Sequence, residues 1–285
     1  MRFFSTGLPY IWGHPLCQHD RLGSTVRYLR WQIGSRLVAE PVIAPWVQGA
    51  RLAIRRGMTG ATGNLYCGLH EWPDMAFLLH LLRSDDRFVD VGANVGSYTV
   101  LASAAIGAFT VAIEASPIAL RSLQLNVAVN GIGERVSLHH LAVGERSGSI
   151  LFSQDRDCMN QVVEEDYPGP TVRVPMRPID SLAEIEAAVL WKVDVEGFER
   201  EMLAGAARSL ADPRLKAVLL EGRQQAVNAV MTAQGFQPAG YDPWSRTLTL
   251  AGLTQQGNQL WIRDPDWIVE RLRTAPSVSV FGRSF

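Results

Sequence analysis

The sequence predicts an α/β protein, a doubly wound and mostly parallel sheet preceded by an N-terminal, mainly helical segment. Three observations carry that prediction. From residue 76 short apolar runs alternate with longer helical stretches, the pattern of a parallel sheet wrapped by helices. One of these runs, Phe88 to Val91, opens directly into a glycine-bracketed turn and then a helix. The chain's 285 residues, 47% apolar and 19% charged, can also bury a sizeable core without staples.

Residues 1–75 read as the helical segment, 76–265 as the sheet domain and 266–285 as a C-terminal tail. In the first segment, Ser24 to Val38 draws as a helix with Val26, Leu29, Ile33 and Leu37 on one stripe and Arg27, Arg30 and Arg36 off it. Two readings stand for it: a helix packed on the main domain, or a basic amphipathic helix for peripheral contact with a membrane surface or an acidic partner. Residues 1–70 hold eight arginines against Asp20 and Glu40, a formal +6 in a chain whose net charge is −1.

In the sheet domain the first strand is Phe88 to Val91, followed by a helix from Ser97 to Ala105. Thr110 to Ile113 is the second strand, and Ile118 to Val129 is a helix closed by Asn130-Gly131, a C-cap signal. Val136 to Val143 is the third. The alternating runs Ser149 to Phe152 and Val172 to Val174 read as additions decorating the sheet around a polar loop, Gln154 to Thr171. Val189 to Val195 is a buried fourth strand, Glu199 to Leu210 a helix, Ala217 to Glu221 the fifth strand and Gln224 to Gln234 a helix closed by Gly235. Phe236 to Gly240, Thr247 to Leu250 and Gln259 to Arg263 form a terminal hairpin region. Such sheets bind ligands beyond the C-terminal ends of their strands.

Composition excludes several classes. A pI of 6.6 lacks the basic footprint of a protein that coats nucleic acid, and no run approaches the roughly 18 apolar residues of a spanning helix. Cys17, Cys67 and Cys158 are an odd number at spacings that suit neither a disulfide framework nor a zinc ribbon, so a reducing, cytoplasmic compartment is expected. The N-terminus makes a poor signal peptide, since Pro9, Gly13, His14 and Pro15 interrupt any apolar core. His14, Cys17, His19 and Asp20 imitate a metal cluster, but no second ligand pair at finger spacing follows, and no metal is expected.

The turn after the first strand is the most informative stretch. In Phe88-Val-Asp-Val-Gly-Ala-Asn-Val-Gly-Ser-Tyr-Thr99, Gly92 permits a tight turn, Asn94 tolerates positive φ, and Gly96 lets the helix start pack near the strand. Glu114, at the tip of the second strand, stands where a carboxylate accepts hydrogen bonds from a ribose diol. The dinucleotide fingerprint laid from Gly92 meets Asn94 and Ser97 in place of two glycines. Asp90 before the turn would repel a pyrophosphate and attract an α-ammonium. S-adenosylmethionine carries a ribose diol, an ammonium and a sulfonium but no phosphate, and it fits both acids.

That run, the Glu114-Ala-Ser-Pro117 segment, the helix Leu123 to Asn130 with Asn126 and Asn130, and Trp191-Lys-Val-Asp-Val-Glu-Gly-Phe-Glu199 together resemble the FkbM family of S-adenosylmethionine-dependent methyltransferases over roughly residues 66 to 263. The resemblance implies a class I methyltransferase, Rossmann-like fold. It also implies methylation of oxygen on sugars, polyketides or other small natural products, with some relatives methylating peptide side chains. Where Glu-Pro is common in the family, Ala115 and Ser116 here separate Glu114 from Pro117. The cofactor set is then Asp90, Gly92, Asn94, Gly96, Ser97, Tyr98, Thr99, Glu114, Ala115, Ser116, Ala142 and Asp194.

Alternation along Val189 to Val195 places Lys192, Asp194 and Glu196 on one side, facing the space between cofactor and acceptor. Lys192 is one of two lysines beside 25 arginines, which suggests a need for a compact ammonium. Asp194 or Glu196 is the expected base for a hydroxyl acceptor. A Lys-carboxylate pair with Glu196 capping the next helix, or a divalent ion on the two acids, are the other readings. Glu71, Asn160 and Glu221, with Arg223 beside it, are candidates for the acceptor; His139 or His140, closing the third strand, is a weaker candidate for a base, a surface or packing role being more usual. An NAD-dependent oxidoreductase, a nucleic-acid methyltransferase and a catalytically silent binding subunit are the rival functions. The oxidoreductase is disfavoured by Asn94 and Ser97, the nucleic-acid enzyme by charge and by a missing Asn-Pro-Pro-Tyr-type motif, and the silent subunit by its intact acids.

Overall fold

The computed structural model of the protein describes residues 2–154, 162–221, 225–250 and 257–285, with backbone only at residues 2–6 and 59. Its centre is an eight-stranded sheet. Strands Arg87–Val91, Phe109–Glu114, Val136–His140, Ala188–Val193 and Ala217–Leu220 run parallel in the order third, second, first, fourth, fifth. Gln259–Ile262 then joins antiparallel to the fifth, followed by Gln237–Asp242 and the edge strand Thr247–Leu250. The order reverses between the first and fourth strands, the switch point where such sheets open a crevice.

Strand residues alternate between two apolar layers, which is why these runs are hydrophobic throughout. Phe88, Leu190, Leu219 and Leu260 pack towards the helices Trp72–Leu81 and Pro265–Arg273. Val89, Trp191, Val218 and Trp261 pack on the opposite face with Met202, Leu203 and Met231. Asp90 and Lys192 are register partners on the first and fourth strands and share the parity of Phe88 and Leu190. Both polar groups are therefore carried into the layer beneath Trp72–Leu81.

The N-terminal segment contains the helices Arg2–Gly13, Arg21–Leu37 and Thr59–Cys67 and a hairpin, Val42–Pro45 with Arg51–Ile54. Ile11, Cys17, Tyr28, Leu52 and Tyr66 share a core with Val95 and Val100 of the sheet domain. The hairpin is tied to the helix Pro117–Asn130 by two side chains: Asn126 accepts from Ala53 N–H at 2.7 Å, and Asn130 accepts from Arg51 N–H and donates to Arg51 O, both at 2.8 Å. Residues 266–285, read as a tail, include the end of helix Pro265–Arg273 and a small hairpin. Phe285 packs edge-on to Trp72 at 4.7 Å between ring centres.

Four elements differ from the sequence reading. The third strand ends at His140; Ala142–Val143 leaves the central sheet and pairs in parallel with Met176–Arg177. The runs expected to decorate the sheet instead form a separate four-stranded one with it, in the order Ala142–Val143, Thr171–Arg177, Gly148–Ser153, Val162–Val163. The run Val136 to Val143 continues past His139 and His140 into Leu141-Ala-Val143 with no turn residue to mark a change of partner. The helix from Glu199 divides into Glu199–Ala204 and Ala207–Leu210 because Gly205 lies against the Gly144 backbone, where a Cβ would come within 2.1 Å of its carbonyl oxygen. The helix after the turn is α-helical over Ser97–Val100 and widens to a π-helix over Leu101–Ile106.

Candidate active site

A cavity of about 290 Å³ lies at the C-terminal ends of the first, second and fourth strands. Its near wall is the turn read from the sequence. Gly92 has φ +73°, and a Cβ there would come within 1.8 Å of the Asp194 carbonyl oxygen, so glycine alone lets the two strand tips meet. Asn94 follows at φ +51°. Its N–H donates to Glu114 Oε2 at 2.7 Å, and Ser116 N–H donates to Glu114 Oε1 at 2.6 Å. Glu114 thus clasps the turn while facing the cavity. Ser97, Tyr98, Ala115, Ser116 and Ala142 line the space as well. Gly96 and Thr99 stand behind it, Gly96 beside Leu123 and Thr99 with its hydroxyl donating to Asp90 Oδ2 at 2.6 Å.

Burial without full compensation raises both acids of this half. Asp90, 1% exposed, is pushed up to about 6 by lost hydration that Thr99 and Lys192 only partly offset, and Glu114 to about 7 by lost hydration that its two backbone hydrogen bonds only partly offset, with the charges of Asp90 and Asp194 adding to the rise. Asp90 is engaged by the helix start, so its carboxylate serves the turn's architecture as well as the cavity it borders.

The far half is built round Lys192. Its ammonium donates to Asp194 Oδ2 at 3.0 Å and to Asn258 Oδ1 at 3.3 Å, and lies 5.5 Å from the Tyr98 ring centre. Burial pulls Lys192 downward, but Asp194, Glu71 and Asp74 outweigh it and the lysine stays charged. The Asn258 amide turns its NH₂ to Asp74 at 2.7 Å and to Glu71 at 3.2 Å. Asp74 is raised by burial and by Glu71 to about 7. The Tyr98 hydroxyl is buried with no hydrogen-bond partner among the described residues.

The fourth-strand acids converge, though not by pleating. The strand stops at Val193; Glu196 at φ +49° and Gly197 at φ +92° make a left-handed turn that brings Glu196 back beside Asp194. Carboxylate oxygens of Asp194, Glu196 and Glu221 lie within 4.8 Å of one another. Burial works to raise Asp194, but Lys192 outweighs it and holds the group ionised. Glu221 is raised by its hydrogen bond to Asp194, by burial and by the neighbouring charges, so the proton of that pair stays on Glu221. Glu196 is raised by burial and by Asp194. Glu196 does not cap the next helix, whose N-cap position is Phe198; Glu199, its first residue, accepts from Gly197 N–H at 2.9 Å and so holds the turn.

Glu71 lines the cavity, and beside it His70, which burial keeps neutral and which lies 2.8 Å from the Tyr10 hydroxyl. Sequence reasoning missed His70, Asp74 and Asn258; Glu71 was the only signal in their neighbourhood. His139 and His140 are engaged elsewhere, His139 3.7 Å from Glu184 and His140 donating to Ala115 O at 3.1 Å. Asn160, Arg223 and Cys158 lie outside the described residues. Away from the cavity, His14, Cys17 and Cys67 bring one ligand atom each to within 4.8 Å in the N-terminal core, a pairing of distant cysteines that spacing could not show. No helix among the described residues is long and apolar enough to cross a membrane.

Comparison with solved structures returns a methyltransferase FkbM from Methylobacillus flagellatus KT, 21% identical with a TM-score of 0.46, covering 74% of this chain and 56% of that one. This chain therefore spans little more than half of that relative's length. A precorrin-6y C5,15-methyltransferase from Geobacter metallireducens GS-15 is 14% identical (TM-score 0.39), over 74% of this chain and 91% of that one. A precorrin 8w decarboxylase from Methanobacterium thermoautotrophicum is 18% identical (TM-score 0.39), over 68% of this chain and 89% of that one. No curated protein matches. The profile of the methyltransferase FkbM domain matches residues 90–238, from the acid before the glycine turn into the strand Gln237–Asp242. With that match across more than half its length, the chain belongs to the FkbM methyltransferase family.

Proposed function

We propose that the protein uses S-adenosylmethionine to methylate a hydroxyl of a small acceptor such as a sugar, a polyketide or another natural product. The observation that carries this reading is a single cavity joining the Glu114–Asn94 turn to the Lys192–Asp194–Glu196 cluster. The residues suit the cofactor: five acids border the space, Glu71, Asp90, Glu114, Asp194 and Glu196, Glu114 keeps free lone pairs for a diol, and the buried Tyr98 hydroxyl lacks a partner. The acids disfavour a pyrophosphate and favour a cation.

When bound, S-adenosylmethionine supplies an electrophilic methyl carbon on a sulfonium. Glu114 holds the ribose, Asp90 and the turn hold the amino-acid end, and Lys192 fixes Asp194. The acceptor hydroxyl must be aligned and must lose a proton. Asp194, held ionised by Lys192, is a weak base; Glu196, with its raised affinity for a proton, is the better one. Met75, Phe152, Val162 and Phe198 give the cavity the apolar surface a carbon skeleton needs.

Calorimetric titration of S-adenosylmethionine, S-adenosylhomocysteine and NAD in parallel tests the reading. Micromolar binding of both S-adenosyl ligands and none of NAD is expected, with a stabilisation of about 2.7 kcal/mol at a hundredfold excess over Kd. Silence with both S-adenosyl ligands refutes it. Tight binding without turnover across hydroxyl and amide acceptors favours the silent subunit instead. Activity that collapses with chelator and returns with a divalent ion makes Asp194, Glu196 and Glu221 ligands rather than base and support.

A further inference from the structure

Of the two readings of the helix Arg21–Leu37, packing on the main domain through its apolar stripe is not what the structure has. Ser24, Tyr28, Trp31 and Ser35 face the protein. The apolar stripe faces out: Leu22 is 79% exposed, Ile33 63% and Leu37 81%, with Val26 and Leu29 between them also exposed. At about 100° per residue these five positions span an arc of about 80°, and Arg36 and Arg30 fall at its two edges. The helix carries no acidic residue, and Arg21, Arg30 and Arg36 are exposed. Trp12, 41% exposed, lies beside the stripe with its indole N–H on Thr25 Oγ1 at 3.0 Å. Among the described residues no element covers this face.

Burying such a stripe requires an apolar partner bordered by negative charge. A second copy offers the wrong rim, because two copies face to face would oppose arginine to arginine with no carboxylate on the helix to separate them. An anionic lipid surface supplies both parts, acyl chains for Leu22, Val26, Leu29, Ile33 and Leu37 and headgroup phosphates for the arginines, which can snorkel to them. We propose that Arg21–Leu37 lies in the headgroup layer of an anionic membrane and holds the protein peripherally on it. The helix packs on Thr59–Cys67, and Gly60 and Ala61 of that helix line the cavity, so docking sets the candidate site one helix away from the lipid surface. This inference does not depend on the methyl-transfer reading.

The test is flotation of the full chain with vesicles of phosphatidylcholine alone or with 30% phosphatidylglycerol, at low and high salt. Binding is expected on the anionic vesicles only, falling as salt rises. The paired change Ile33→Asp and Leu37→Asp should lower partitioning by about tenfold or more, and Arg30→Glu with Arg36→Glu should do likewise, at unchanged melting temperature because all four side chains are exposed. Absence of binding to anionic vesicles overturns the proposal. So does a concentration-dependent dimer in light scattering that the Ile33/Leu37 pair dissolves, which would make the face an interface between copies.

Discussion

Glu114 gives the sharpest link between buried electrostatics and cofactor affinity. Its carboxyl is raised from the ordinary value of 4.5 to about 7, chiefly by burial. A ribose diol donates its hydroxyl protons, so the ionised form binds. With a pKa near 7, roughly a tenth of the groups are ionised at pH 6 and nine-tenths at pH 8, which makes affinity for S-adenosylhomocysteine rise about tenfold over that interval. In the free protein the sign is opposite: the raised pKa favours the protonated fold, so stability present below pH 4.5 is lost as pH climbs to 7. Asp90 and Asp74, raised to about 6 and about 7, act in the same direction. Titrations at pH 6, 7 and 8, repeated in buffers of different ionisation enthalpy, should show proton release on binding near neutrality. Glu114→Gln preserves shape, should weaken binding at pH 8 by about 1.5–3 kcal/mol for the lost charged acceptor, and should flatten the profile. Affinity that does not change with pH in the parent, or an unaltered profile in the variant, refutes the assignment of Glu114 to the ribose.

Three further outcomes follow from contacts already described. Lys192→Met keeps the aliphatic stem but leaves Asp194, Glu71 and Asp74 without their buried cation, and should cost about 3–5 kcal/mol in urea unfolding; an unchanged midpoint would contradict the burial of that charge. Gly92→Ala, forced against the Asp194 carbonyl at φ +73°, should lose cofactor binding and melt markedly lower, whereas a parent-like melt would show that the strand tips can separate. Glu196→Gln should reduce turnover by about 10²–10⁴-fold with binding of S-adenosylmethionine within a few-fold of the parent, and Asp194→Asn should reduce it less. Equal turnover in all three proteins would leave catalysis to alignment alone.

The sheet was legible because its strands are continuous apolar runs and its turn is punctuated by Gly92, Asn94 and Gly96, residues chosen by backbone sterics that any sequence displays. The acid pair Asp90 and Glu114 was legible for the same reason, being fixed in register to that turn. What lay beyond reach depends on which surfaces meet. Ala142 and Val143 follow the third strand with no turn residue between yet belong to another sheet, since a strand's pattern records burial and not the partner. The stripe Val26, Leu29, Ile33 and Leu37 was found, but amphipathicity does not say which face looks inward when Tyr28 and Trp31 lie opposite. Asn258 and Asp74 reach Lys192 across 66 and 118 positions of chain, and nothing in their local pattern distinguishes them from surface polar residues.

The charges round Lys192 also explain why an acid-rich site can persist in a buried place. One ammonium faces Asp194, Glu71 and Asp74, with Glu221 against Asp194. Full ionisation would leave an uncompensated excess of negative charge in low dielectric, and the fold avoids it by keeping Asp74 and Glu221 high enough to retain protons. The remaining excess sits towards the cavity, on Asp194 and Glu196, where a cation entering would relieve it. A sulfonium brings that charge and a thioether does not. On the proposed reading, methyl transfer would therefore remove the attraction for the cofactor, just as Glu196, the proposed base, took up the acceptor's proton and became neutral.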